Sequence, residues 1–363
     1  MANIFDYLND VAYDSFYDLP VNELDVLALT ELTYLAFDDV VTQEPQRLID
    51  LAPQIPRDTT MLTNKNRLQL LDQLAQHKRF KNCKLSDFIN DIDPELQKQF
   101  AAMTYRISLD TYLLVFRGTD DSIIGWKEDF HMTYMKEIPA QKHALQYLQD
   151  FFAQHPNQKV VLAGHSKGGN LAVYAASQLD PLLQKNIVAV YTFDAPGLHK
   201  ELTETAGYQN MMERTKVFVP QGSIIGMMLE IPDKKIVVRS TALGGLAQHD
   251  TFSWQVEDKH FVQLDETNSD SQQVDTTFKE WVETVPDTEL QLYFDLFFGI
   301  ILDAGISSIN DLSSFKVIEH IHHLFVQAQS LTPEERETMG RLTQLLIDTR
   351  YQAWKNREYT KTN

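Results

Sequence analysis

One stretch near the middle of the chain, residues 160–172, constrains the fold more than any other. It reads Val-Val-Leu-Ala-Gly-His-Ser-Lys-Gly-Gly-Asn-Leu-Ala. The apolar run predicts a buried strand, Gly-x-Ser-x-Gly predicts a sharp turn, and a helix-forming segment follows at once. Only small residues can flank a serine in such a strained turn, which accounts for Gly164 and Gly168. The pattern predicts a nucleophile elbow that places Ser166 at a helix N-terminus, where developing negative charge is stabilised.

The segments around this stretch predict an α/β architecture. Short apolar runs indicate strands, and amphipathic segments between them indicate helices. A hairpin is expected over 100–108 and 111–116, followed by strands over 159–163, 187–193, 215–219 and 235–239. Alternation of strands and helices indicates the α/β-hydrolase fold, with a mostly parallel central sheet and helices on both faces.

The composition changes along the chain predict three parts. Residues 1–98 read mostly as helices and form a helical segment packed on the core, in which the basic run at 78–81 is expected to face solvent. Residues 99–264 form the α/β-hydrolase catalytic core. Residues 265–363 begin as an acidic linker and continue as a helical extension, with helices predicted over 290–301, 312–328 and 333–354.

Charge and cysteine usage bound the class of protein. The 363 residues carry a net charge of −19, which argues against a nucleic-acid partner. The single cysteine, Cys83, excludes an intrachain disulfide and suits a reducing cytoplasm. The first residues lack the features of a signal peptide, and no apolar run is long enough for a transmembrane segment. The sequence therefore predicts a soluble, cytoplasmic protein.

A serine nucleophile needs a base, which is usually a histidine oriented by a carboxylate. In elbow-type hydrolases the order along the chain is Ser, then Asp or Glu, then His. His249 is the preferred base because it lies in a late loop after the strand over 235–239; the alternative is a loop histidine that caps Asp250. The other histidines lie too early, in a strand-like stretch or in the helical tail: His199, His260, His320, His322 and His323.

The acid is assigned from its position at the sheet edge. Asp194 ends the strand that follows the elbow helix, and Pro196-Gly197 turns the chain away immediately afterwards. Asp233 and Asp250 are competitors, although an acid adjacent to His249 would tend to point away from the ring.

Acyl transfer also requires donors for the oxyanion. The backbone N–H of Lys167 is one candidate, because it directly follows the nucleophile. The N–H and hydroxyl of Thr119, in the loop after an earlier strand, are the other candidates. The Lys167 side chain itself is expected to face solvent.

Three blocks in this chain resemble the class 3, or fungal-type, lipase family. They are Phe-Arg-Gly-Thr at 116–119, Gly-His-Ser-Lys-Gly-Gly at 164–169 and Tyr-Thr-Phe-Asp-Ala-Pro at 191–196. The chain is more closely similar to a bacterial branch of lipase-like α/β hydrolases that share Gly-His-Ser-Lys-Gly-Gly-Asn-Leu-Ala. The resemblance covers about residues 100–260 and implies an oxyanion-hole role for Thr119.

This chain differs from the class 3 lipase pattern at the position of the catalytic acid. Class 3 lipases carry an Asp in an Asp-x-Val-Pro segment, whereas the matching region here, residues 217–223, has no carboxylate. Their Phe-Gly-Ala-Pro block has become Phe-Asp-Ala-Pro. An acid moved back by one strand, as in other lipases of this fold, implies Asp194 in this chain.

Apolar residues near the sheet edge suit an acyl-binding site. They are expected to line a hydrophobic pocket or to form a mobile cover, the alternative being ordinary core; they are Trp126, Ile224, Ile225, Met227 and Met228, with Met132 and Leu229 beside them. The helical tail either completes the wall of this pocket or forms a homodimer face. His320 and His323 lack a third ligand, so we expect no metal, and the chemistry needs no organic cofactor.

The predicted function is that of a serine hydrolase cleaving carboxylic esters, either small molecules or lipid-derived acyl esters. Two alternatives stay open on the sequence. The same residues would serve a thioesterase, an acyltransferase or an amidase. A chain that keeps the elbow without a working acid would instead be a non-catalytic binding or scaffold protein.

Overall fold

The computed structural model describes residues 1–59, 63–120, 122–232, 234–306 and 327–361, with side chains up to residue 352. The strands are β1 (Gln46–Arg47), β2 (Lys84–Asp93), β3 (Lys98–Arg106), β4 (Thr111–Phe116), β5 (Lys159–His165), β6 (Ile187–Phe193), β7 (Thr215–Pro220), β8 (Lys235–Val238), β9 (Val256–Glu257), β10 (His260–Phe261) and β11 (Gln263–Leu264). The helices are α1 (Ile4–Asp10), α2 (Glu23–Leu32), α3 (Leu48–Leu51), α4 (Asn64–Gln76), α5 (Ile123–His131), α6 (Pro139–Gln154), α7 (Lys167–Gln178), α8 (Pro181–Gln184), α9 (Lys200–Thr203), α10 (Ala206–Met212), α11 (Gly245–Gln248), α12 (Ser269–Thr284), α13 (Asp287–Asp303) and α14 (Pro333–Lys361).

A mixed sheet forms the centre of the molecule. Among the described residues its nine strands lie in the order β1-β2-β3-β4-β5-β6-β7-β8-β11. Strands β4 to β8 are parallel, whereas β1 to β4 pair antiparallel and β11 pairs antiparallel with β8. The expectation of a mostly parallel sheet is therefore correct only for its middle. Short turns at residues 94–97 and 107–110 join β2 to β3 and β3 to β4, as antiparallel neighbours allow.

Both faces of the sheet are buried because side chains alternate along each strand. On β5, Val161 and Ala163 pack into the cluster that contains α1, α2 and α4. Val160 and Leu162 point the opposite way and pack with α6 and α7. The N-terminal helices therefore cover one face, and the helices that connect the parallel strands cover the other.

The segment expected to be helical over residues 1–98 also contributes strands. Residues 84–93 form β2, which pairs with β3 along its length with an irregularity between Ser86 and Ile89. Four of its ten residues are acidic or amide, and they are spaced irregularly, so its sequence lacks the apolar alternation that identifies a strand. Pairing with the buried strand β3 determines its conformation instead.

The basic run at residues 78–81 faces solvent only in part, because Lys78 is exposed whereas Arg79 is buried. The Arg79 side chain is fully buried and donates two hydrogen bonds to the buried carboxylate of Asp25, of 2.8 and 2.5 Å. The Tyr7 hydroxyl donates to the same carboxylate at 2.7 Å. A charged side chain is buried here because it is fully paired, and the pair joins α1, α2 and the end of α4.

The acidic stretch after residue 264 is helical rather than a linker. Asn268 caps α12 by accepting a hydrogen bond from the Ser271 N–H at 2.9 Å, and Trp281 is buried among the C-terminal helices. The acidic side chains belong to a helix whose other face is apolar and buried. The acidic composition of the stretch alone does not indicate such a helix. The helices predicted over 290–301 and 333–354 are confirmed, and most of the segment predicted over 312–328 lies outside the described residues.

The third hydrophobic cluster joins these C-terminal helices to α5, through residues such as Ile123, Phe294 and Phe298. Along the part of the chain that the structure describes, none of the helices is both long enough and apolar enough to span a bilayer.

Because of the buried ion pair, substitution of Arg79 should lower the free energy of unfolding far more than substitution of its neighbour Lys78. Arg79→Met should lower the free energy of unfolding by about 3–5 kcal/mol, because it leaves Asp25 charged, buried and without its partner. Lys78→Met is the matched control: Lys78 is exposed, so its loss should change stability by no more than about 0.5 kcal/mol. Urea unfolding of the two variants checks this, and equal costs would contradict the structural role of Arg79.

Candidate active site

The predicted strand, sharp turn and helix are present around Ser166. Ser166 follows β5 and precedes α7 with φ 57° and ψ −135°, a left-handed conformation that a serine rarely adopts. A Cβ atom on Gly168 would lie 2.0 Å from the Phe116 carbonyl oxygen, and one on Gly164 would lie 2.1 Å from the Gly168 carbonyl carbon. Both glycines are therefore required by close backbone approach, which holds the serine at the first turn of the helix.

His249 and Asp194 lie together at the same edge of the sheet. Asp194 directly follows β6 and is fully buried, and His249 directly follows α11. The His249 Nδ1 and Asp194 Oδ2 atoms are 2.7 Å apart. Because a carboxylate only accepts hydrogen bonds, Nδ1 carries the proton, and the neutral ring keeps its lone pair on Nε2.

Two further donors fix the Asp194 carboxylate. Its Oδ1 accepts hydrogen bonds from the Ser223 hydroxyl at 2.5 Å and from the Gly226 N–H at 3.1 Å. Ser223 belongs to the segment after β7 that carries no carboxylate, so this segment supports an acid that comes from the preceding strand.

The competing acids are placed differently. The carboxylate of Asp250 accepts a hydrogen bond from the Phe252 N–H at 3.1 Å, within its own turn. Asp233 lies outside the described residues.

Ser166 and His249 line one cavity of about 230 Å³. Ser166 itself is only 8% exposed. The remaining lining comes from the loop after β4, from the N-terminal segment and from the loop around α11, and includes Thr119, Trp126, Glu31, Tyr34, Arg67 and Leu246. The structure thus brings one nucleophilic and one basic side chain to the same space.

His165 supports the loop that carries His249. Burial holds the pKa of His165 well below its usual range, so the ring is neutral at pH 7. Its Nε2 atom donates to the His249 carbonyl oxygen at 3.0 Å, and the two rings lie 4.4 Å apart. The Tyr34 hydroxyl, 3.1 Å from His165 Nδ1, accepts the Gly118 N–H at 3.1 Å. Sequence reasoning did not find Tyr34, because nothing in its local pattern distinguishes it from a core residue.

The Lys167 side chain does not face solvent, which corrects the expectation. It is fully buried, and its ammonium donates to the Gln99 carbonyl at 2.9 Å, to the Gln99 side chain at 2.8 Å and to Glu128 Oε2 at 2.8 Å. The charge is thereby compensated beneath the helix. The Lys167 backbone N–H lies in the first turn of α7, where helix geometry supplies no carbonyl partner.

The Thr119 hydroxyl is already engaged. It donates to Asp129 Oδ2 at 2.5 Å, so only the Thr119 N–H remains of the two donors expected there. Asp129 Oδ1 lies 3.8 Å from the Lys167 ammonium. Burial raises the pKa of Asp129 to about 6, although Lys167 and the Thr119 hydroxyl act in the opposite direction.

Three of the five residues expected to line an acyl pocket lie beside Ser166. Trp126, Ile225 and Met228 border a narrow space beside Ser166, together with neighbours that include Met132 and Leu229. Ile224 packs against Gly245, and Met227 is 2% exposed. The 3₁₀ turn at Ile225–Met227 directs successive side chains to different sides. Apolar composition alone therefore does not show which of these residues face Ser166.

Within the described ranges, no three His, Cys, Asp or Glu side chains come together as a metal site. His320, His322 and His323 lie outside those ranges.

A central sheet with helices on both faces and a Gly-x-Ser-x-Gly elbow at its carboxyl edge defines an α/β-hydrolase-like protein. The Mbeg1-like family model matches residues 74–299, and the chain belongs to this family. No curated protein matches the chain.

Several solved lipase structures are similar to this chain at low identity. The mono- and diacylglycerol lipase from Aspergillus oryzae is 17% identical over 68% of this chain and 87% of its own, with a TM-score of 0.40. The lipase from Rhizopus microsporus var. chinensis is 16% identical over 69% of this chain and 80% of its own, with a TM-score of 0.39. Lipase II from Rhizopus niveus is 16% identical over 68% and 84%, with a TM-score of 0.36. The assignment to a bacterial branch stays a prediction.

The raised pKa of Asp129 predicts a pH-dependent effect of one substitution. The ordinary pKa of an aspartate is 3.8, and that of Asp129 in the folded protein is about 6. The stability that this group contributes below pH 4 is therefore lost as the pH rises to about 6. Asp129→Asn removes this loss, because the amide stays neutral. Relative to the wild type, the variant should gain about 1 kcal/mol between pH 5 and pH 8. Urea unfolding at both pH values measures this, and an identical difference at each would contradict a raised pKa.

Proposed function

We propose that the protein is a serine hydrolase that cleaves carboxylic esters through an acyl-enzyme. The observation that carries the proposal is the 2.7 Å bond between the fully buried Asp194 and His249, beside a cavity that Ser166 also lines. A strained serine, a histidine with a fixed tautomer and a buried carboxylate are the groups that nucleophilic acyl transfer requires.

In the proposed reaction Ser166 Oγ attacks the ester carbonyl while His249 Nε2 takes the hydroxyl proton. Asp194 holds the ring in its tautomer and stabilises the imidazolium that forms. His249 then gives the proton to the departing alkoxide. In the second half, the same nitrogen takes a proton from the water that attacks the acyl group. It then gives this proton to Ser166 Oγ as the bond between the serine and the acyl group breaks, which releases the acid and restores Ser166.

Backbone groups are the proposed oxyanion donors. The Lys167 N–H lies in the first turn of α7, where the helix dipole favours negative charge, and the Thr119 N–H follows β4. Glu128 and Gln99 hold the Lys167 ammonium beneath the helix, so its charge is not offered directly to the substrate. Asp129 fixes the Thr119 side chain and thereby orients this loop.

The proposed substrate is a small-molecule or lipid-derived acyl ester. Support comes from the apolar side chains beside the nucleophile, among them Trp126, Ile225 and Met228. We also propose a cytoplasmic location, which rests on the single cysteine: Cys83 is buried, and burial raises the pKa of its thiol to about 12, so it is unsuited to disulfide exchange.

The first test is hydrolysis of p-nitrophenyl esters from acetate to palmitate. The wild type should turn over at least one of them, and Ser166→Ala should lower kcat/KM by at least about 10³-fold, because the nucleophile is lost. A fluorophosphonate probe should label the wild type and not the variant.

The outcomes separate the classes of function. Turnover of thioesters or amides in preference to esters would reassign the reaction while retaining the site. No turnover of any acyl substrate, with Ser166 unlabelled by the probe, would overturn the hydrolase proposal in favour of a binding or scaffold protein.

A second test addresses the acid. Asp194→Asn should lower kcat by about 10³–10⁴-fold, since the amide permits the wrong tautomer of His249. Asp250→Asn is the matched comparison next to the histidine, and it should cost far less because that carboxylate is bonded within its own turn. Both variants should unfold at similar urea concentrations. A larger loss for Asp250→Asn would reverse the assignment.

A further inference from the structure

A second large cavity lies outside the cleft containing Ser166 and His249. Its volume is about 540 Å³, and the C-terminal half of α12 forms one wall. The opposite wall comes from the segments that follow β6 and precede β8. Its apolar lining consists of Leu198, Leu229, Phe278, Val282, Val285 and Pro286. We call this the α12 cavity.

Leu229 connects the α12 cavity to the nucleophile. It lines the α12 cavity and also the narrow space of about 20 Å³ that borders Ser166. The two spaces also adjoin at consecutive residues of another segment: Met132 lines the narrow space, and Thr133 lines the α12 cavity. The two spaces therefore share Leu229 in their linings.

The backbone at Leu229 is held in an unusual conformation. Its φ is 63°, in the left-handed region that leucine rarely adopts. The bridge between Leu198 and Glu230 and the Gly197 N–H bond to the Met228 carbonyl at 2.9 Å fix the chain on both sides. The surrounding contacts thus hold the Leu229 side chain at this junction despite the local strain.

The residues that line the α12 cavity indicate what kind of ligand it would bind. Two lysines, Lys200 and Lys279, line the α12 cavity against three carboxylates, Glu230, Glu283 and Asp287. This excess of negative charge disfavours an anionic group there. The volume and the apolar strip match a site for a flexible, neutral, apolar ligand segment.

We propose that the α12 cavity binds the distal part of a long acyl chain whose carboxyl end lies at Ser166. The chain would pass Leu229, so that the C-terminal helices determine acyl-length preference. The inference rests on the proposed ester hydrolysis, and it assigns long-chain acyl groups as the substrate class.

A tryptophan in the wall of the α12 cavity tests this. Val282 is half-buried on α12, and Val282→Trp should fill the space beneath the helix. The ratio of kcat/KM for p-nitrophenyl palmitate to that for the acetate should fall at least tenfold. Glu280→Trp is the matched control, because it places the same side chain on the exposed face of the same helix; this ratio should stay as in the wild type.

Leu229→Gly tests the junction with the opposite sign. Glycine relieves the positive φ and removes the side chain between the two spaces, so the palmitate-to-acetate ratio should rise. This variant also keeps the proposal testable if Val282→Trp does not fold, as judged by its circular dichroism.

A binding measurement separates this inference from the catalytic proposal. Ser166→Ala protein should bind 11-(dansylamino)undecanoic acid, dodecanoate should displace it, and Val282→Trp should weaken the binding at least tenfold. Such binding, together with a wild type that turns over no acyl substrate and is not labelled by the fluorophosphonate probe, would support the cavity and overturn the hydrolase. Turnover of acetate esters with chain-length preference and probe binding unaltered in both cavity variants would overturn the cavity proposal alone.

Discussion

Close backbone approach at the elbow is the constraint on which the rest of the site depends. The helix α7 begins so near to β4 and β5 that no Cβ fits at residues 164 and 168. This packing forces Ser166 into a left-handed conformation and leaves the first N–H groups of the helix at the edge of the sheet. It also directs the Lys167 side chain inward, where Gln99 and Glu128 must compensate a fully buried ammonium. The strain at the serine and the buried charge below it arise from one packing arrangement.

The loop that carries His249 depends on parts of the chain that are far away in sequence. Glu31 accepts a hydrogen bond from Thr251 at 2.8 Å and pairs with Arg67 at 3.0 Å, which ties this loop to α2 and α4. His165 donates to the His249 carbonyl from below. The N-terminal helices therefore support the site as well as cover the sheet. A truncation that removed them would expose the face of the sheet and also release the loop that orients the histidine.

Helix α5 links the site to the C-terminal helices. Helix α5 has one side toward the nucleophile, through Trp126, and packs through Ile123 and Phe130 with the cluster that contains α12 and α13. The same helix carries Glu128 and Asp129, which contact Lys167 and Thr119. Packing in the C-terminal cluster is thus coupled to the groups beneath the proposed oxyanion donors. Helix α12, which lies in the stretch expected to be an acidic linker, forms a wall of the α12 cavity.

The sequence by itself predicted the elbow, the strands β4 to β8 and Asp194 as the preferred partner of His249. These features follow from local rules, namely glycine spacing, apolar period and the meeting of parallel strands at one edge. Only the tertiary structure decided the strand at residues 84–93, the burial of Arg79 and Lys167, the engagement of Thr119 with Asp129, and the support from Glu31 and Tyr34. Each of these depends on a partner distant in the chain that satisfies a buried polar group, and no local pattern encodes such a partner.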